Sequence, residues 1–427
     1  MYDMFLGQIP TKLFTIDQVL SNYMFVFYAA FGVTFVFTPV MRAIALYFDI
    51  IDQPDRIRKM HSMPVAYLGG VAVFLGWLTG LAVSQYLQLH RIDPGWPTTH
   101  PKIHFSIVVG ALLIVTLGLW DDIIGLRPWM KIAGQVFAAV CLLADGVGIT
   151  ATAPMITPVA TRVFHFLHMS NVMDSSFGNM LTTVSSAVLV ICVVVGCCNA
   201  SNLMDGLDGL CGGVTAIIAA GFLFVAVHLA MRGGGVNTNW DALRVILGLA
   251  LLGAVLGFVA YNFNPASIFM GDTGSMFLGF ACATMIILMA QERSKWFMAA
   301  MVMFALPILD TSLAFARRWI NGRPLFSADK QHFHHQLVAR GFTVKQTVLI
   351  SYGLAIFFGL LGVAVVFLRT RYTVAIYIVI FGWIIVAAYK MGMVHERPVR
   401  ELASTLGQSK PEEFASAIDA GSVMDVR

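Results

Sequence analysis

Charge is scarce in this chain. Asp, Glu, Lys and Arg make up 12% of its 427 residues and 58% are hydrophobic. The mean hydropathy is +0.79. Soluble domains carry about 25% charged residues, so a water-facing globular surface is excluded. Strict apolar–polar alternation is also missing, which excludes the strands of a membrane barrel. The six Cys (141, 192, 197, 198, 211 and 282) lie in or beside apolar runs. They show neither paired extracellular spacing nor metal-ligand spacing, and read as small buried hydrophobes. No GxxxxGK[ST] loop occurs, so P-loop ATP hydrolysis is not indicated. No internal repeat stands out. The formal charge of +4 is modest and gives no nucleic-acid signal. The first 20 residues contain Pro10, Lys12 and Asp17 and no apolar signal-peptide core. The first spanning helix is therefore expected to serve as the targeting signal.

What is present is a series of apolar runs of spanning length. Eleven are expected, near 22–48, 67–87, 104–120, 130–149, 180–198, 212–231, 241–261, 275–291, 296–313, 347–368 and 373–391. This predicts an all-α polytopic integral membrane protein with one multi-spanning domain over 1–391 and a polar tail over 392–427. Residues 150–179 read as a surface excursion with a short amphipathic piece.

The polar residues are gathered in five blocks, each after an odd-numbered run. They are DQPDRIRKMHSMPVAYLGG (52–70), WDDIIGLRPWMK (120–131), NASNLMDGLDGL (199–210), YNFNPASIFMGDTGS (261–275) and ARRWINGRPLFSADKQHFHHQLVARG (316–341). Parity places all five on one face. Arg56, Arg58, Lys59, Arg127, Lys131, Arg317, Arg318, Arg323 and Lys330 lie there too, so the positive-inside rule makes that face cytoplasmic. The N-terminus is then outside and the C-terminus cytoplasmic. Arg369 and Arg371 fall on the opposite side.

An Asp at the centre of a spanning helix costs roughly 2.5–3.5 kcal/mol, so carboxylates in such a chain are candidates for function. Asp121, Asp122, Asp205, Asp208 and Asp272 share the polar face with His332, His334 and His335. Taken singly, each block has a plainer reading: a solvated helix end for Asp121-Asp122, turn chemistry for the Asp-Gly pairs, a polar loop for the histidines. Zinc is disfavoured because no Cys or fourth His is spaced to complete a tetrahedron. Together, clustered carboxylates repel unless a cation or proton sits among them. Carboxylates with water suit Mg²⁺, which shares its shell with substrate phosphates. Asp272 lies in the Gly-flanked start of a helix, a good place for phosphate or a metal-holding carboxylate. Phe269 is placed to stack a nucleobase. These features suggest phosphoryl chemistry on a nucleotide-activated donor with a membrane-embedded acceptor.

The blocks DRIRKMH with PVAYLGG, LGLWDD, NASNLMDGLDGL, NPASIFMGDTGS and FSADKQHFHHQL also carry a resemblance. In order and spacing over about residues 50–345 the chain resembles the polyprenyl-phosphate N-acetylhexosamine-1-phosphate transferases, of glycosyltransferase 4 type. It looks most like the branch that uses UDP-GlcNAc and undecaprenyl phosphate, with SADKQHFHHQLVARGF as the strongest pointer. His334-His335-Gln336 lacks the third consecutive His of the pentapeptide-transferring branch. The resemblance implies transfer of GlcNAc-1-phosphate from UDP-GlcNAc to undecaprenyl phosphate with release of UMP. That is the first membrane step of a cell-surface polysaccharide of the O-antigen, common-antigen or teichoic-acid kind, at the bacterial cytoplasmic (inner) membrane. It implies Mg²⁺, with Mn²⁺ as a substitute. Asp272 is then a metal ligand, Asp121 a base, an orienting group or a covalent nucleophile, and Asp122 a support for Asp121 or the metal. Asn202, Asp205, Asp208, Asn262 and Phe269 match the nucleotide positions. Lys131, His332, His334 and His335 would bind diphosphate or sugar, and Arg58, Lys59 and His61 would line the rim. A second copy of the chain is admitted as a partner; nucleic acid is not. The alternatives are UDP-MurNAc-pentapeptide or another UDP-HexNAc as donor and, in another class, a secondary transporter of an anion. Asp145, at the far end of the fourth run, is expected to be dispensable.

Overall fold

A chain crossing lipid must satisfy its backbone polar groups internally, which favours helices. The computed structural model describes residues 14–21, 23–52, 65–89, 103–166, 176–232, 239–320, 322 and 332–390, and it is helical. In chain order the helices are α1 (Ile16–Leu20), α2 (Met24–Tyr47), α3 (Gly69–Leu89), α4 (Phe105–Ile124), α5 (Pro128–Ala144), α6 (Ala153–Phe166), α7 (Ser176–Met204), α8 (Leu210–Arg232), α9 (Asn239–Asn262), α10 (Gly271–Ala290), α11 (Ser294–Met303), α12 (Ala305–Ile320), α13 (Phe333–Ala339), α14 (Val344–Phe367) and α15 (Thr370–Lys390).

Each expected run holds a helix, but not eleven straight spans. Among the described residues eight helices are long and apolar enough to cross a membrane, or nine if α11 and α12, bent by 73° at a break, are counted as one span. The expectation of one helix over 296–313 is corrected by that break at Phe304. Pro128–Ala144 and Thr370–Gly382 are shorter apolar helices. The amphipathic piece in 150–179 is α6. A two-residue hairpin was not legible in the sequence, being too short to show alternation. In it β1 (Ile51–Asp52) pairs antiparallel with β2 (Val65–Ala66), and Ala66 also bridges Ile268.

α10 is the axis of the bundle. It is apolar on all sides and, apart from Asp272, buried along its whole length, as an all-round apolar helix must be. α7, α4, α3, α11 and α9 pack around it, so its N-terminus is held from several directions. α2 turns Phe25, Tyr28, Val36 and Val40 outward, as a lipid-facing helix does.

The far pole is fastened by paired charges. Arg244, buried to 1% exposure, donates to the Leu288 carbonyl (2.9 Å from Nη2) and pairs with Asp241 (2.8 Å) and Glu292 (3.3 Å). It thereby satisfies a carbonyl of the last turn of α10. Asp145 faces His104 Nδ1 at 3.3 Å and accepts from the Ser106 N–H at 3.4 Å, tying the end of α5 to the start of α4. Asp145 is therefore a fastener as well as distant from the carboxylate blocks.

Candidate active site

α4 ends with Asp121 and Asp122, and a short turn reverses the chain into α5. The Leu126 N–H closes that turn on the Asp121 carboxylate (2.7 Å). Pro128 opens α5 at a position where its missing N–H costs nothing. The first turn of α5 then carries Lys131 back over the end of α4. Its Nζ forms ion pairs with Asp121 and with Asp272, the latter at 2.7 Å. One ammonium thus joins the first residues of α10 to the last turn of α4.

Asp122, expected to support Asp121 or the metal, is engaged by the start of α10. Its carboxylate accepts from the N–H groups of Asp272 (2.8 Å) and Thr273 (3.0 Å) and from the Thr273 hydroxyl (2.6 Å). It caps α10 from another helix, satisfying donors that α10 cannot pair internally. Gly271 makes the approach possible. Its φ is +67°, and a Cβ there would lie 2.5 Å from the Asp122 carboxylate.

The Asn199–Leu210 stretch splits at the end of α7. Asn199 and Asn202 remain helical, and Asn202 donates to Ser275 Oγ at 3.1 Å. Asp208 accepts from Asn264 Nδ2 (2.9 Å) and the Ala266 N–H (3.0 Å). Asn262 is buried at 3% exposure, accepts from the Gly209 N–H (3.1 Å) and donates to the Ile268 carbonyl (3.0 Å). Both ends of its amide are occupied by backbone, so it braces the two loops. Tyr352 of α14 clamps the Gly209 carbonyl (2.6 Å), and Arg42 of α2 holds the Ser267 carbonyl (2.9 Å). Phe269 is half-buried beside Tyr67, ring centres 6.1 Å apart.

Asp205 stands apart. Its half-buried carboxylate has no hydrogen bond or ion pair among the described residues. Burial and the charges of Asp272, Asp122 and Asp208 hold it well above the ordinary carboxylate range.

The histidine block docks on the same loop. Asp310, in α12, accepts from the Phe333 N–H (2.7 Å) and faces His332 Nδ1 at 3.2 Å, which anchors the start of α13. His334 is buried with Nε2 unpartnered and lies against Gly206, where a Cβ would come within 2.3 Å of that nitrogen. Burial and the neighbouring His335 push its pKa down to about 3, so it is neutral at physiological pH. His335, half-buried, lies 4.3 Å from the His334 ring.

One helical turn deeper lies a polar layer that the sequence reading missed. Asn199 Nδ2 donates to Gln135 Oε1 at 2.7 Å, and the fully buried Gln135 reaches Met276 Sδ at 3.5 Å. Gln135, Asn199 and Met276 follow Lys131, precede Asn202 and follow Asp272 by one turn on the same three helices. Asp310, Thr273, Ser275 and Tyr352 were missed as well. Asp310 was findable, since an acid inside an apolar helix is a flag in itself. Gln135, a polar residue four positions after Lys131, carried a weaker signal.

The predicted residues Asp121, Asp122, Lys131, Asn202, Asp205, Asp208, Asn262, Phe269, Asp272, His332, His334 and His335 are thus distributed over linked loops at one pole. Arg58, Lys59 and His61 lie outside the described residues. No three metal-ligating side chains converge on one point among the described residues. The donor set nevertheless fits Mg²⁺: Asp272 and Asp205 offer hard carboxylate oxygens, the charge of Asp272 acts on Asp205, and this ion keeps several waters and shares phosphates. Asp122, its oxygens taken by α10, fits a metal less well.

Glycosyl transferase family 4 matches residues 104–290. The chain is 29% identical over 90% of its length to a protein of Bacillus subtilis (strain 168), covering 96% of it, described as a probable undecaprenyl-phosphate N-acetylglucosaminyl 1-phosphate transferase. It is 32% identical over 75% of its length to the decaprenyl-phosphate N-acetylglucosaminephosphotransferase of Mycolicibacterium smegmatis (strain ATCC 700084 / mc(2)155), covering 76% of it. It is 30% identical over 68% of its length to the phospho-N-acetylmuramoyl-pentapeptide-transferase of Levilactobacillus brevis, covering 82% of it.

Proposed function

This chain belongs to glycosyl transferase family 4, and on that premise we propose that it transfers GlcNAc-1-phosphate from UDP-GlcNAc to undecaprenyl phosphate, releasing UMP. The carrying observation is the Lys131 ammonium between Asp121 and Asp272 at the N-terminus of the buried α10. The relatives named for N-acetylglucosamine transfer to a polyprenyl phosphate support the donor and the lipid acceptor. Family membership displaces the transporter reading.

A lipid phosphate oxygen attacks the sugar-linked phosphorus, and the bond to the UMP oxygen breaks. One phosphoanhydride replaces another, so no ATP is needed. Catalysis of such a step consists of positioning and charge neutralisation. Mg²⁺, held by Asp272 with Asp205, would supply the charge neutralisation when bound. Lys131 exchanges carboxylate contacts for the diphosphate. Asp121, freed from Lys131, keeps the lipid phosphate ionised or orients it. A phosphate monoester has a second pKa near 6, so orientation is the larger share at pH 7. Phe269 with Tyr67 offers an aromatic wall to the uracil, and Asn202 lies where it can hold the nucleotide. Asp208 and Asn262 act by shaping the loops. His335 meets the diphosphate, while His332 and His334 hold α13 in place. The site faces the cytoplasm, where UDP-sugars are made.

The test is purified protein with undecaprenyl phosphate and Mg²⁺, offered UDP-GlcNAc and UDP-MurNAc-pentapeptide separately, with UMP followed. UMP from UDP-GlcNAc alone is expected, lost with EDTA and in Asp272→Ala. UMP only from the pentapeptide donor would transfer the chain to the branch of the Levilactobacillus relative. Full activity of Asp272→Ala would overturn the site.

A further inference from the structure

The pole opposite the carboxylates collects positive charge that nothing in the proposed reaction uses. α8 leaves the site at Leu210 and ends at Arg232; α10 leaves it at Gly271 and is followed by Arg293 and Lys295; α14 ends at Phe367, two residues before Arg369. Arg232 and Arg293 both act electrostatically on Lys295, and Arg232 and Lys295 both act on His228. The His228 ring meets the Phe367 ring at 4.9 Å, which brings the α14–α15 turn to the same place. Tyr377 of α15 donates to the Met298 carbonyl of α11, so the helices that follow Arg369 and Arg293 touch one another.

Among the described residues none of Arg232, Arg293, Lys295 and Arg369 forms an ion pair, and the adjacent Glu292 is turned to Arg244. Arg232 has a plain structural use at the negative end of the α8 dipole. The others do not. Arg293 and Lys295 flank the positive N-terminus of α11, and Arg369 and Arg371 that of α15, with no acidic residue in either first turn. Each pair sits where the helix dipole opposes it. The cluster also runs against the positive-inside bias of the rest of the chain.

The surroundings identify the counter-ion. Arg293 lies over the Trp296 ring (5.7 Å), Arg371 over the Tyr372 ring (4.9 Å), and Phe367 is 55% exposed. Aromatics flanking cations at the ends of spanning helices mark the membrane–water interface. Farther along the same two helices Leu360 and Phe357 of α14 and Val374 and Ile378 of α15 are exposed, apolar surface for acyl chains. A free anion would satisfy the charge but leave that surface unused. We propose that this pole binds the phosphate headgroup of an anionic phospholipid, held by Arg232, Arg293, Lys295 and Arg369 with its chains against α14 and α15.

The experiment uses the full chain in detergent, titrated with phosphatidylglycerol, phosphatidylcholine or inorganic phosphate, with bound lipid counted by native mass spectrometry and unfolding followed in parallel. Phosphatidylglycerol is expected to bind and raise the unfolding temperature, and the other two are not. In Arg232→Gln/Arg293→Gln/Lys295→Gln the apparent affinity for phosphatidylglycerol should fall by at least about tenfold, while Arg232→Lys/Arg293→Lys retains it. Should the triple variant fail to fold, Lys295→Gln/Arg369→Gln gives the same reading with two charges removed. Wild-type affinity in a folded charge-removed variant would overturn the proposal. So would stabilisation by inorganic phosphate equal to that by the lipid, which would make the site one for a soluble anion.

Discussion

Two adjacent carboxylates at the end of α4 illustrate how neighbours acquire separate roles. Asp121 faces Lys131, whereas Asp122 faces the backbone of α10. Asp122 caps with both oxygens, and an amide retains only one of these acceptors, which weakens the cap without removing it; a metal ligand here needs the charge. Asp122→Asn should therefore keep its Mg²⁺ dependence and lose no more than about tenfold in turnover. Asp272→Asn should lose Mg²⁺ activation. UMP release measured against Mg²⁺ concentration separates the two, and an equal loss of Mg²⁺ affinity in both would return Asp122 to the ligand set. His334 supplies a pH prediction. Its pKa is near 3 when folded and 6.5 when unfolded. The unfolded chain takes up that proton first as pH falls, so the residue costs nothing well above pH 6.5 and destabilises progressively below it. His334→Gln should flatten the decline of thermal stability on the acid side of pH 6.5, measured by unfolding scans across pH.

At the scale of elements, the site depends on how α5, α7 and α10 are set against each other. The Gln135–Asn199 bond lies one turn beneath the Lys131–Asp272 pair and links α5 to α7. Side-chain hydrogen bonds between membrane helices are worth about 0.6 kcal/mol on average and up to about 1.7. Gln135→Leu should therefore lower the unfolding temperature only slightly, yet reduce kcat several-fold with little change in donor KM, because Lys131 loses its register with Asp272. Replacing both partners, Gln135→Leu with Asn199→Leu, should recover the stability, since two apolar residues leave no unpaired group at Gln135 and Asn199. Activity should stay low. Recovery of both would reduce the layer to ordinary packing.

For the whole molecule the testable quantity is orientation. The carboxylate loops and the turn at Phe342 lie at one pole, and the turn at Thr370 at the other. Cys197, Cys198, Cys211 and Cys282 are buried as the sequence suggests, but Cys192 is exposed and Cys141 half-buried, so labelling needs a Cys141→Ser/Cys192→Ser background. Thr370→Cys should react with a membrane-impermeant maleimide in intact cells, and Phe342→Cys only after permeabilisation. The reverse pattern would place the site outside. The same polarity governs the far end of the bundle, where Arg244 pairs with Asp241 and Glu292 while Arg232, Arg293, Lys295 and Arg369 form no ion pair among the described residues.

The sequence by itself determined the helical membrane class, the places of the apolar runs and the clustering of five carboxylates, because burial in lipid and helix parity are local, additive properties of composition. It also exposed the family, through residues whose spacing along the chain is preserved. Tertiary structure alone decided which carboxylate faces what. Asp122 caps a helix about 150 positions away in the chain, Asn262 is consumed by backbone, and Asp205 has no hydrogen-bond or ion-pair partner among the described residues. It also decided the 73° break at Phe304 and the pairing of Gln135 with Asn199. Hydrogen bonds are directional and short, so their partners follow from packing between distant segments, which no periodicity in the chain records.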